Sequence, residues 1–263
     1  MKKYNYIVAL ATLFMAWITV PASAQFDRNW ALVKSMLIGL EYQVKAGVNI
    51  GGTAPLPLPV EIRQIESYNP TLALAIEGNV TKWMDPKREW GLRLGVRLEN
   101  KAMKTDARVK NYSMEIIGDG GEKIKGNWTG NVKTEVDNTY LSIPVLVTHR
   151  FNDRFTMSAG PYVAFMFDGK FIGDVYEGYL REGDPTGNKV IFEDEASAPY
   201  NFSDDLRKFN CGVQLGAEWR AFNHLNVFGD LTWGLNGIFP KDFETMTFAL
   251  YPIYLNVGFG YVF

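Results

Sequence analysis

Eight stretches of this chain share a two-residue rhythm, and that rhythm limits what it can fold into. In the last one, YLNVGFGYVF (254–263), Leu255, Val257, Phe259, Tyr261 and Phe263 share one face, while Asn256, Gly258 and Gly260 share the other. In 41–51, Tyr42, Val44, Val48 and Ile50 oppose Glu41, Gln43, Lys45 and Asn49. The stretches 71–83, 89–100, 140–151, 155–167, 210–222 and 225–236 repeat the pattern. A period of two is that of a β-strand with unlike faces. The load of 25 Gly and 14% aromatics favours strands and tight turns over helices.

The front of the chain is different. Lys2 and Lys3 precede an apolar run from about residue 7 to 20, followed by Pro21-Ala22-Ser23-Ala24. This is the layout of a secretory signal peptide (1–24) cleaved after Ala24. It leaves an N-terminal segment at 25–38 and a barrel domain at 39–263. No later stretch has the 18 or so consecutive apolar residues of a membrane helix. Cys211 is the only cysteine, which excludes an internal disulfide framework. A formal net charge of -2 gives no reason to expect a nucleic-acid partner.

The connections decide what kind of β-protein this is. Three are very short, around 85–87, 152–154 and 223–224, and four are long, at 52–68, 101–139, 168–209 and 237–249. That asymmetry predicts an all-β, eight-stranded antiparallel transmembrane β-barrel with short periplasmic turns and long extracellular loops. The apolar row is almost wholly aliphatic and aromatic. The opposite row holds Gly, Ala, Ser, Thr and a few charges. A soluble barrel would point its apolar row inward; here that row suits lipid, and the small residues suit a narrow interior. Trp83, Trp90, Phe151, Phe155, Trp219 and Phe222 lie beside the short turns and are expected to form an aromatic girdle at one membrane interface. An unpaired strand edge cannot be satisfied in lipid, so the terminal strand must pair with the first and close the barrel.

Three stretches carry a resemblance to a known family: YLSIPVLVTHRFNDRFTMSAGPYVAFMF (140–167), CGVQLGAEWRAFNHLNVFGDLTWGLNGI (211–238) and YLNVGFGYVF (254–263). They resemble the PorT-like outer-membrane β-barrels common in Bacteroidota. The resemblance implies an eight-stranded barrel in the cell outer membrane with a cleaved signal. It also implies that Phe259, Tyr261 and Phe263 belong to a C-terminal insertion signal read by the barrel assembly machinery. Members of this family differ in function, so the resemblance names no activity.

The inward row carries both signs of charge. Glu41, Glu77, Glu99, Glu218 and Asp230 face Lys45, Arg93, Arg97, Arg150 and Arg220. Buried charges must be paired, so a balanced set predicts an internal salt-bridge network and a filled lumen, with Arg93 or Arg97 pairing with Glu77 or Glu218. His149 and His224 lie at or beside short turns, on the wrong side for surface catalysis, and no catalytic residue or enzyme activity is expected. The acidic stretch 168–209 lacks calcium-loop spacing, so neither a metal site nor a cofactor is expected. Residues flanking Asp184-Pro185-Thr186-Gly187-Asn188 and the GDGGEKIKG stretch (118–126) predict two hairpins above the membrane, and TAPLPLPVEI (53–62) predicts a stiff surface loop. The expected function is structural or surface recognition by a monomeric barrel. The partners are outer-membrane lipid and an extracellular ligand or envelope protein met through the loops. The alternatives are an accessory part of a secretion or envelope-assembly complex, or a narrow porin-like channel.

Overall fold

The computed structural model describes residues 39–118, 121–243 and 245–263, with backbone alone at 193–195. The signal peptide predicted at 1–24 and the segment 25–38 therefore lie outside the described residues. Ten strands follow in order: β1 (Leu40–Pro55), β2 (Ile62–Asn69), β3 (Ala73–Trp83), β4 (Trp90–Ile117), β5 (Lys123–Arg150), β6 (Phe155–Glu182), β7 (Lys189–Asn201), β8 (Phe209–Arg220), β9 (Leu225–Gly234) and β10 (Leu250–Val262). Among the described residues no helix is long and apolar enough to cross a membrane.

Eight of the ten strands form a closed antiparallel ring: β1, β3, β4, β5, β6, β8, β9 and β10, with β10 back on β1. The closing seam runs from Gln43 opposite Val262 to Pro55 opposite Leu250. The terminal strand thus has partners on both sides. Beyond it, the Phe263 amide donates to the Tyr42 carbonyl and the Val262 amide to the His224 carbonyl.

The apolar row of each ring strand faces outward. Leu74, Ile76, Leu94, Val147, Leu215, Leu231 and Phe259 are all exposed, while Gln43, Lys45, Glu77, Arg93, Gln214 and Asp230 on the opposite rows are buried. The polarity is that of a barrel whose outer surface meets an apolar solvent. The short turns gather at one end. In the first of them the Asp85 carboxylate accepts the amides of Glu89 (3.0 Å) and Trp90 (2.8 Å), bonds that hold its carboxyl below the usual aspartate range.

At the other end three strands continue far past the band. β4, β5 and β6 each have 28 residues, well beyond the roughly 9–11 that cross a bilayer. The two predicted hairpins are these extensions: β4–β5, turning near Gly118 and Gly121, and β6–β7, turning at Asp184–Gly187. β2 docks on the far edge of the β4 extension. Neither β2 nor β7 belongs to the ring. The stiff loop predicted at 53–62 is shorter than expected: β1 runs through Thr53, Ala54 and Pro55, and β2 starts at Ile62.

A row of bulges bends the extended part. The register slips between Val109 and Tyr112 on β4, between Thr129 and Asn131 on β5, and between Tyr176 and Gly178 on β6. Asn111 and Glu177 take positive φ there, and Gly130 has φ +153°. Opposite β5 one extra residue lies on β4 and another on β6, and opposite β6 three lie on β7; such insertions bend the strand that carries them. On β4 the buried face shifts from Met103 and Val109 to Met114 and Ile116. Those side chains join Trp128, Val136, Val175, Leu180, Phe202, Phe239 and Met246 in a second core above the barrel, distinct from its polar interior.

Gly130 is a point of close approach in this bend. A Cβ there would lie 2.7 Å from Gly178 Cα, in a backbone conformation that L-residues avoid. We expect Gly130→Ala to cost about 1–3 kcal/mol locally. Limited proteolysis should then cut the β4–β5 hairpin faster than in the wild type while the ring stays intact; unchanged hairpin protection would contradict this.

Candidate functional site

The barrel interior is a stack of ion pairs that can be followed upward from the short-turn end. Glu41, near the start of β1, accepts two hydrogen bonds from Arg150 at the end of β5 (3.1 and 3.0 Å). The Arg150 guanidinium lies 4.2 Å over the Trp83 ring. Trp83 is only 4% exposed, so it is not part of the girdle predicted for it. Its odd number on β3 sets it on the same row as Ala75, Glu77 and Asn79, and strand parity outweighs nearness to a turn. The other five, Trp90, Phe151, Phe155, Trp219 and Phe222, face outward at this end.

The next level centres on Glu218 of β8. It pairs closely with Arg93 of β4 and at 2.8 Å with Lys45 of β1, and accepts hydrogen bonds from Gln43 (3.1 Å) and Asn226 (3.3 Å). Arg93 also donates Nε–H to Thr81 at 3.0 Å. Lys45 bridges upward to Asp230 of β9 at 3.1 Å, with its ammonium 4.7 Å from the Phe228 ring centre. Arg97 also reaches Asp230 (3.3 Å), bonds Glu77 on β3 through Nε (2.6 Å) and donates to Gln214 (3.1 Å). Gly216 leaves room for this level: a Cβ there would meet the Asp230 carboxylate and lie 2.6 Å from Ser158 Oγ.

The top level joins Glu99 to Lys101 at 3.2 Å, with Ser142 Oγ–H donating to Glu99 at 2.5 Å. The Lys101 ammonium sits among three tyrosine rings, 5.5 Å from Tyr140, 5.3 Å from Tyr162 and 5.7 Å from Tyr254. Cation–π attraction holds an ammonium in such a cage and strengthens where water is excluded. Four cations (Lys45, Arg93, Arg97, Lys101) thus meet four carboxylates (Glu77, Glu99, Glu218, Asp230), every one of them 4% exposed or less. Paired charges of equal number are what a narrow, water-poor space requires.

Some of this pattern lies outside the sequence expectation. Lys101 and its tyrosine cage were missed, because residue 101 was assigned to a loop; it sits on the same odd-numbered row as Arg93, Arg97 and Glu99, and extending the alternation by one step would have found it. Conversely, Arg220 forms no ion pair among the described residues. It lies at the last position of β8, past the packed interior.

The two histidines pack into the aromatic belt at the short-turn end. His149 Nδ1–H donates to the Glu89 carbonyl (3.1 Å), with its ring 4.2 Å from Trp90 and 4.4 Å from Phe151. His224 Nδ1–H donates to the Val262 carbonyl at 2.7 Å. Phe259, Tyr261 and Phe263 form the exposed outward row of the last strand. Among the described residues no three His, Cys, Asp or Glu side chains gather as a metal site.

A closed eight-stranded ring with an apolar outer belt and a charged interior defines a transmembrane β-barrel. The model of the outer membrane protein beta-barrel domain matches residues 23–240, and the chain belongs to that family. It is thus an outer-membrane barrel, with short turns at one end and long hairpins at the other. Among solved structures it is similar to Ail of Yersinia pestis in complex with the heparin analogue sucrose octasulfate, at 7% identity and TM-score 0.35, covering 85% of this chain and 97% of that one. It is also similar to Neisserial surface protein A (7%, TM-score 0.29, 85% and 96% covered) and to OprG from Pseudomonas aeruginosa (12%, TM-score 0.29, 85% and 95% covered). No curated protein matches the chain.

The levels differ in what depends on them. Glu218 is the carboxylate paired with Arg93 and one of two paired with Lys45. Glu218→Ala therefore leaves a buried guanidinium without its counter-charge, at an expected cost on the order of 3–5 kcal/mol. Glu41→Ala, at the more exposed Glu41–Arg150 pair, should cost less. Urea unfolding in lipid vesicles, read by the gel mobility of the folded barrel, compares the two; an equal or smaller loss for Glu218→Ala would contradict the assignment.

Proposed function

We propose that this protein is a non-enzymatic outer-membrane barrel with a filled lumen, and that its work is surface recognition by the extracellular hairpins. The observation that carries the reading is the interior itself. Four buried cations and four buried carboxylates occupy the cross-section, and the apolar core of the extended strands lies above them. Solutes crossing such a lumen would have to separate paired charges in a low-dielectric space. The extended hairpins are where the chain spends its remaining length. They carry a charge ladder, Lys104–Glu135–Lys170 (2.9 and 2.7 Å), across three adjacent strands.

The balanced interior also argues against catalysis inside the barrel, because each of its four buried carboxylates is held by a cation. Export by the 1–24 signal with cleavage after Ala24, and use of Phe259, Tyr261 and Phe263 by the assembly machinery, complete the reading. The similarity of 140–167, 211–238 and 254–263 to PorT-like barrels supports a second role, as an accessory component of a secretion or envelope-assembly complex. Co-purification of a stoichiometric periplasmic partner would favour that second role over recognition at the cell surface.

Planar-bilayer recording tests the filled lumen. The purified monomer should give no large steady current. A stable, ion-selective current from the wild type would show an open channel and overturn the reading.

A further inference from the structure

One cavity at the extracellular end is chemically unlike the lumen. It has a volume of about 320 Å³, within the roughly 300–1,000 Å³ usual for small-molecule sites, and among the described residues no charged one lines it. It lies where β1 outruns β3: β1 pairs with β3 only as far as Asn49 opposite Ala73, yet continues to Pro55. There β2 replaces β3 as the partner of β4, and Tyr68 of β2 reaches across to β1, donating its hydroxyl to the Gly51 carbonyl at 2.6 Å. Gly52 keeps the wall thin, since a Cβ there would fall 2.8 Å from Met103 Sδ and 3.6 Å from the Tyr68 ring.

The inner wall is buried and apolar, with Met103, Val109, Phe171 and Leu250 all under a tenth exposed. The rim is apolar and exposed: Leu58 at 58%, Ile65 at 56% and Tyr68 at 46%. Leu56 and Val60 beside it are exposed as well. Exposed apolar surface of this kind marks a site of contact. The side of entry is given by Ile253, which also lines the cavity. It stands on the outward row of β10 with Leu255, Phe259 and Tyr261, the row that faces lipid. The cavity therefore joins the extracellular core to the lipid-facing surface at the outer edge of the band.

We infer that this cavity binds a hydrocarbon chain that enters from the outer leaflet. A wall without charge and with few polar groups gives water too few partners, and apolar cavities of even about 150 Å³ stay dry and take apolar guests. The lack of a charged residue assigns the alkyl part of an amphiphile to the cavity and leaves its head at the rim. An acyl tail of a membrane lipid and a free fatty acid share this chemistry.

Photo-crosslinking tests the site on the full-length protein in lipid nanodiscs. One sample receives a free fatty acid with a diazirine in its chain; another is built with a phospholipid carrying the same group. Peptide mapping should place crosslinks on Met103, Ile65 and neighbouring cavity residues, and the sample that gives them identifies the source. Ala107→Phe fills the cavity and should reduce those crosslinks by about tenfold or more, while crosslinks on the lipid belt around Leu215 persist. Gel mobility reports that the variant is folded. Wild-type crosslinks confined to the lipid belt in both samples, or cavity crosslinks that folded Ala107→Phe leaves unchanged, would overturn the inference. The wild-type map alone decides the matter if the variant does not fold.

Discussion

The structure depends on the pairing of β1 with β10. In lipid no water can satisfy a strand edge, so a sheet of seven or eight strands is viable only if its ends meet. The seam from Gln43–Val262 to Pro55–Leu250 does this, and it fixes everything inside. Lys45 is held opposite Gly260 and Glu77, and the register of Asn256 with Asp230 sets the height of the carboxylate that Lys45 reaches. A slip of one residue along the seam would turn the charged row of β1 to lipid and its apolar row to the lumen.

Closure at eight strands then imposes the second constraint. The interior is wide enough for side chains and little else. Apolar side chains would fill it too, and buried ion pairs are not in themselves stabilising. What the ionic filling provides is selectivity of arrangement: Arg93 is held at Glu218 and Lys101 at Glu99, while Lys45 and Arg97 tie neighbouring levels together through Asp230. Above the band the solvent changes from lipid to water, and the packing inverts. The extended strands put their apolar side chains inside, around Trp128 and Leu180, and polar ones such as Lys104 and Glu135 outside. The bulge row at Asn111, Gly130 and Glu177 lies within this extension, where the sheet has to bend to enclose a core of its own.

The ring was legible because a barrel in lipid obeys strict alternation, and eight such segments stand out in the sequence. Arg93 with Glu218 and Arg97 with Glu77 were legible for the same reason, whereas Lys101 was missed and Arg220 has no ion pair among the described residues. The departures have local causes. Trp83 was read from its nearness to a turn, where its place in the alternation gives the opposite face. β2, with the sequence IRQIESYN, shows no period of two because its register shifts twice, after Ile62 and after Ile65. Bulges hide a strand from pattern reading. The second core was invisible as such, since above the bulges the buried row changes parity and a single strand no longer reads as one pattern.

Lysine accessibility tests the central claim, that the lumen is enclosed and its charges paired. The folded protein in lipid is saturated with a small amine-reactive reagent, and modification is read by mass spectrometry. Lys104, Lys123 and Lys170, at 53%, 65% and 46% side-chain exposure, should be modified, and Lys45 and Lys101, at 2% and 3%, should stay free until the barrel is unfolded. Modification of Lys45 or Lys101 in the folded barrel at the rate of the exposed lysines would mean that water and solutes enter the lumen, and would contradict the account.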